Sequence, residues 1–150
     1  MKSSLPARLL RHRILPTSQV RERAGLTSFM SSQVRKGDWA MPEHLRVACL
    51  MGSVEVDLRE ALIPEGVSEI EIFAVLGSVE VFVPPGVRVE MMVDGFVGSV
   101  EFLPDPTLPY VADSPVIRIR GDAYFASVEV FVRYVGETAR EAKKRIKESW

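Results

Sequence analysis

Four stretches of the chain alternate apolar and polar residues in the same way. GSVEV occupies 52–56 and again 77–81, GSVEF occupies 98–102, and ASVEV occupies 126–130. Two residues after the small residue stand Val54, Val79, Val100 and Val128; four after it stand Val56, Val81, Phe102 and Val130. Between them lie Glu55, Glu80, Glu101 and Glu129. A period of two marks a strand with one buried face. Seven residues before the small residue come Leu45, Ile70, Met91 and Ile119, so each copy predicts two strands flanking a corner. The copies recur at 25, 21 and 28 residues, periods that suit one supersecondary unit stacked repeatedly. A fainter copy at 29–33 lies 21 residues before Gly52, and Pro64/Gly66, Pro84-Pro85-Gly86, Pro104 and Pro106 punctuate the series.

The corner column reads Gly52, Gly77, Gly98 and Ala126, with Ser31 in the faint copy. Alanine is a poor occupant of a position that needs positive φ, so the column implies a steric limit where copies press together. Cys49, Ala74, Gly95 and Ala123 form a second small column three residues earlier, which makes Cys49 a buried, inert thiol. The expected fold is therefore all-β: a β-solenoid of about four stacked repeats, about 4.8 Å apart. Stacking sets the four glutamates in a ladder. Two like charges at that spacing repel by about 0.8 kcal/mol in water, while each inward side chain gains about 1.5–3 kcal/mol on burial, so the core prevails. A solvated ladder is the expectation; a cation site or a surface for a basic partner are its alternatives. Asp94-Gly95 is a hairpin signal and supports an antiparallel sandwich instead, but Ala48-Cys49 and Phe73-Ala74 at the same place in other copies are poor turns.

The ends differ from the middle. Thr138-Ala139-Arg140-Glu141 is a capping box, and Ala139, Ala142, Ile146 and Trp150 make a narrow apolar stripe, predicting a helix over 139–149 that covers the end of the stack. Only two valines occur in the first 46 residues, against 19 in 47–135. The chain thus divides into a basic N-terminal arm with a partial first repeat (1–44), the β-solenoid (45–135) and the helix (136–150). Residues 18–24 read as a short helix stopped by Gly25, and 37–42 as a turn carrying Trp39 as an aromatic plug.

Charge changes this picture more than composition does. The net charge of −1 is the sum of +7 over 1–36, −11 over 37–115 and +3 over 116–150. Arg8, Arg11 and Arg13 interleave with leucines, so the arm is expected to pack on its own or a neighbouring array, or to touch an anionic membrane surface. Nucleic acid is not an expected partner, because no aromatic interleaving accompanies the charge. The longest apolar runs are five residues, where a spanning helix needs about 20; the expected location is the cytoplasm, including the inner membrane face. On the outward parity, five residues after the corner, stand Asp57, Phe82, Leu103 and Phe131. Three large apolar residues in one outer row call for a cover, expected from the N-terminal arm or a second subunit.

One cysteine and two histidines exclude a disulfide framework and a Cys-rich zinc site, and no nucleophile–base set or phosphate-binding loop is present. No catalytic, cofactor-binding or metal-ligating residues are expected. The run WAMPEHLRVACLMGSVEVDLREA at 39–61, Ile70-Glu71-Ile72 leading into AVLGSVEV, and Pro84-Pro85-Gly86-Val87-Arg88-Val89 resemble the C-terminal domain of cell-wall-active-antibiotics-response proteins, the LiaF-like family, over roughly 29–133. That resemblance implies a β-stacked accessory domain without enzymatic activity, linked to envelope-stress signalling, and supplies no functional residues. The functional expectation is a self-associating regulator or scaffold that works by protein contact. The alternative is a polymerising, bactofilin-like filament protein.

Overall fold

Each strand–corner–strand copy forms, and the copies pair in parallel, residue against equivalent residue. The computed structural model describes residues 13–15, 23–103, 114–133 and 136–148, and these are all-β apart from one helix. The strand before each corner joins one five-stranded parallel sheet, and the strand after it joins another. The faint copy gives β2 (Arg23–Phe29) and β3 (Ser32–Arg35), followed by β4 (His44–Leu50) and β5 (Ser53–Asp57). Next come β7 (Val67–Val75) with β8 (Ser78–Val83), β9 (Arg88–Phe96) with β10 (Ser99–Leu103), and β11 (Val116–Tyr124) with β12 (Ser127–Val132). The short β1 (Arg13–Leu15) pairs with β6 (Leu62–Pro64) alone. The predicted columns are the observed register: Glu55 opposes Glu80, Glu80 opposes Glu129, and Val79 opposes Val54 and Val128.

The order of stacking departs from the order of the chain. The first sheet runs β2-β4-β7-β11-β9 and the second runs β3-β5-β8-β12-β10, so the copy around 126 lies between those around 77 and 98. Counting by position, β11/β12 is the fourth tier and β9/β10 the fifth. Burial gives the reason. Ile117, Ile119, Val128 and Val130 of the fourth tier are fully buried, whereas Val89, Met91, Val93, Val100 and Phe102 of the fifth are only partly so. The more apolar, β-branched pair of strands takes the place with neighbours on both sides. Asp94 and Gly95 lie inside β9, which pairs parallel to β11; the antiparallel sandwich does not form, because the column pattern outweighs one turn dipeptide.

Two further expectations are corrected. Arg23 and Ala24, assigned to a helix, begin β2 and pair with His44 and Leu45; alternate burial at Leu26 and Ser28 favours the strand, and 18–22 lie outside the described residues. The helix, α1 (Ala139–Glu148), carries its capping box: the Thr138 amide donates to Glu141 Oε1 at 3.0 Å, and the Glu141 amide donates to Thr138 Oγ1 at 3.1 Å. Hydrogen bonding from the Thr138 amide, and then from its side chain, holds the Glu141 carboxyl below its ordinary pKa. However, α1 does not lie across the last tier. It packs on β12, with Ala142 and Ile146 fully buried, because the outward apolar row there gives its stripe a surface to cover. The Ala139 side chain and Trp150 fall outside the described residues. Trp39 is the expected plug: it packs partly buried on the core, and its indole N–H donates to the Asp57 carbonyl at 3.0 Å.

Candidate interaction surface

The corner between the sheets is where sequence and backbone conflict most. Met30, Met51, Leu76, Val97 and Phe125, the residues just before the small column, are the non-glycine residues with positive φ among those described, at 50–54°. The conformation keeps the ladder unbroken around the bend. The Met51 amide donates to the Val75 carbonyl at 2.9 Å and the Leu76 amide to Tyr124 at 3.0 Å, while the Ser78 amide donates back to Gly52 at 3.0 Å. The amides of Met30, Met51, Leu76 and Phe125 thus each stay paired with a neighbouring tier. For an L-residue the left-handed region costs about 1–2 kcal/mol, and a β-branched residue such as Val97 is least suited to it.

The small column directly follows. Gly52 and Gly77 have ordinary φ, as the steric reading requires. A Cβ on Gly77 would overlap the carbonyl oxygen of Gly52 and come within 2.8 Å of Cys49 Sγ. Cys49 is fully buried, with Sγ 3.7 Å from the Ser78 carbonyl oxygen. The two small columns therefore press against each other, and the chain turns tightly enough to throw the preceding side chain outward.

Those five side chains, 51–65% exposed, line up one per tier. The residues before them continue the surface: Phe29, Leu50, Val75, Tyr124 and Phe96, in register across the first sheet. Phe73, Tyr124, Phe96 and Phe125 form a chain of ring contacts with centroids 6.0–6.3 Å apart. The result is an apolar ridge about 19 Å long, from four steps of about 4.8 Å. On one side it borders the serine column Ser32, Ser53, Ser78, Ser127 and Ser99, and a shallow depression floored by Gly77, Gly98 and Ala126. On the other it meets a charged half-face. There His44 Nε2 lies 3.1 Å from Glu71, Arg118 lies 3.2 Å from Glu90, and Arg120 pairs with Glu69 and Glu71. Partly exposed pairs of this kind add little stability; on this half of the outer face Val67 and Met92 are exposed among them, and the aromatic side chains gather at the ridge.

The residues singled out from sequence fall elsewhere. Phe82 and Phe131 are 1% and 0% exposed, in contact with ring centroids 5.1 Å apart and planes tilted by 60°. Arg133 lies over the Phe82 ring at 4.5 Å and Lys143 over Phe131 at 5.2 Å. Both rings are thus closed off within one chain, with Arg133 and Lys143 of the C-terminal segment over them, and Leu103 is partly buried at the end of the same row. Asp57, the acidic member, is held by the Arg59 guanidinium at 2.7 Å, and Arg59 also donates to the Glu137 carbonyl at 2.9 Å, tying the row to the segment before α1.

The glutamate ladder runs Glu55, Glu80, Glu129, Glu101, with Val34 in the first tier. Lys143 neutralises Glu129 at 2.6 Å. Burial, then the charges of Glu129 and Glu55, raise the Glu80 carboxyl above its ordinary range. Among the described residues no group of three His, Cys, Asp or Glu could hold a metal ion. Arg8 and Arg11 lie outside the described residues, and of Arg13 only the backbone in β1 is described. The ridge itself was missed, although its signal was present: Met51, Leu76, Val97 and Phe125 are large and apolar at a corner where turn residues are expected.

Residues 28–135 match the family model for the C-terminal domain of LiaF, described as cell wall-active antibiotics response. Protein LiaF of Bacillus subtilis (strain 168) is 36% identical over 59 residues, a stretch that covers 39% of this chain and 24% of that protein. This chain therefore aligns with about a quarter of that relative's length. No solved structure matches the chain. Most of the array, from its first corner to the end of β12, lies within the family match, and the chain belongs to the LiaF-like C-terminal domain family.

Proposed function

We propose that this chain is a non-enzymatic, self-associating β-solenoid that regulates or scaffolds the cell-envelope stress response through protein contact. The exposed ridge carries the reading. A monomeric surface rarely leaves a contiguous apolar strip bare, and here each tier retains a strained, bulky residue at the corner where glycine is easier. Local strain of this kind concentrates at functional sites. Family membership supplies the process, the response to cell wall-active antibiotics. Parallel, in-register pairing supports the solenoid, and the partner is a protein segment that presents apolar side chains to the ridge. Its workplace is the cytoplasm, at the inner membrane face through Arg8, Arg11 and Arg13.

The test replaces Leu76 and Phe125 by aspartate in a host lacking the wild-type gene. An envelope-stress reporter is then read after exposure to a cell wall-active antibiotic. The double variant is expected to fold, with an unchanged circular dichroism spectrum, and to respond like the deletion. Full restoration of the response by the variant overturns the reading.

A further inference from the structure

The two ends of the stack are chemically unequal. At the first tier the inward columns of the second sheet are closed by Gln33 and Arg35, which stand in register with Val54 and Val56. Both are exposed, and the Arg35 guanidinium lies over the Trp39 ring at 5.7 Å. Inward-pointing polar residues at a sheet edge are a device against further pairing. At the fifth tier the same two columns end in Val100 and Phe102, and the first sheet ends in Val89, Met91 and Val93. All five are partly exposed, although the equivalent Ile70, Ile72, Val79 and Val81 are at most 1% exposed.

Among the described residues, β9 pairs only with β11 and β10 only with β12. Strands of nine and five residues therefore each present one edge of amides and carbonyls to whatever lies beyond. An occupant must bring its own open strand edge and apolar side chains at two-residue spacing. The first tier of another copy fails, because contact would bury Gln33 and the Arg35 guanidinium against valine, methionine and phenylalanine. The fifth tier of another copy meets every requirement.

We infer that the fifth tier is a dimerisation face that binds the fifth tier of a second copy of this chain, end to end. The contact is isologous, so it closes at two copies and does not propagate; the cost of burying Gln33 and the Arg35 guanidinium opposes a head-to-tail filament. Outward side chains such as Asp94 and Glu101 stay in water, while the apolar columns of both copies become continuous. This inference deepens the self-association in the proposed function and rests on that part of it alone.

Light scattering coupled to size exclusion, on the full chain over a wide concentration range, is expected to give twice the 16.7 kDa chain mass. Met91→Lys with Val100→Lys is expected to raise the dimer Kd by roughly thirtyfold or more, and Arg35→Glu at the other end to leave it unchanged. Hydrogen exchange on the wild type needs no variant: amides of β9 and β10 gain protection as concentration rises, and those of β3 do not. A single-chain mass throughout, open-ended growth, or edge amides indifferent to concentration overturns the dimer. None of these outcomes touches the ridge, whose reading stands or falls on the stress reporter.

Discussion

Two apolar lines run along the outside of this array, six residues apart in the third and fourth tiers: Leu76 and Phe82, Phe125 and Phe131. One is buried and the other bare. Phe82 and Phe131 are buried, with Arg133 and Lys143 over their rings, whereas Leu76 and Phe125 are more than half exposed. The difference lies in the path of the C-terminal segment, which returns over the second sheet and converts an outward row into core. Among the described residues nothing returns over the corner, and there the chain keeps bulky side chains in a conformation they resist. The covered line holds the molecule together, and the bare line is left for something else.

Truncating each line in turn gives the sharpest separation. Phe131→Ala is expected to destabilise by about 3–5 kcal/mol, and Phe125→Ala by no more than about 0.5 kcal/mol, in urea denaturation. Equal losses would break the distinction. The small column that creates the bare line comes next. Gly77→Ala places a methyl group against the Gly52 carbonyl and is expected to cost about 1–3 kcal/mol, read in the same titration. Leu76→Gly removes left-handed strain at the price of chain entropy, for a net gain of roughly 0.5–1 kcal/mol. It should at the same time weaken the antibiotic response in the reporter strain. A stabilised variant with reduced function is the signature of strain kept for binding.

The smallest effect lies in the glutamate ladder beside the covered line. Folding raises the Glu80 pKa, so the native state holds that proton more tightly than the unfolded chain. The group therefore favours folding at and below the ordinary carboxylate range and opposes it above. Glu80→Gln is expected to raise Tm slightly at pH 7, with the gap from wild type closing as the pH falls towards 4.5, the ordinary glutamate value. A gap that widens on acidification would show that Glu80 is held by cations and not crowded by Glu129 and Glu55.

Much of this was legible in the sequence because the columns carry it. Val54, Val79 and Val128 in one register require parallel stacking, and the Gly, Ala and Ser of the corner column report a steric limit that the Gly77–Gly52 approach explains. The capping box at Thr138 also forms as read. Three things were not legible. Alternation is the same in every copy, so it is silent on which copy is a neighbour of which; the order depends on how much apolar surface each pair of strands has to bury. A large apolar residue at Leu76 reads as the end of a strand, since side-chain type alone does not announce positive φ. A narrow helical stripe such as Ala142 and Ile146 shows that α1 must dock, but not where.

The displaced fourth tier has a consequence for how the chain is assembled. Residues 88–103 leave the ribosome before residues 116–132, yet the later strands occupy the place next to β7 and β8. Simple winding in order of synthesis leads to the wrong neighbour: β10 offers β8 the same small-Ser-Val-Glu register that β12 offers. The nascent chain must hold that slot open, or expel a near-perfect impostor, until β11 and β12 arrive. The array is therefore completed by insertion into its middle and is most exposed to mispairing before β11 and β12 have been made.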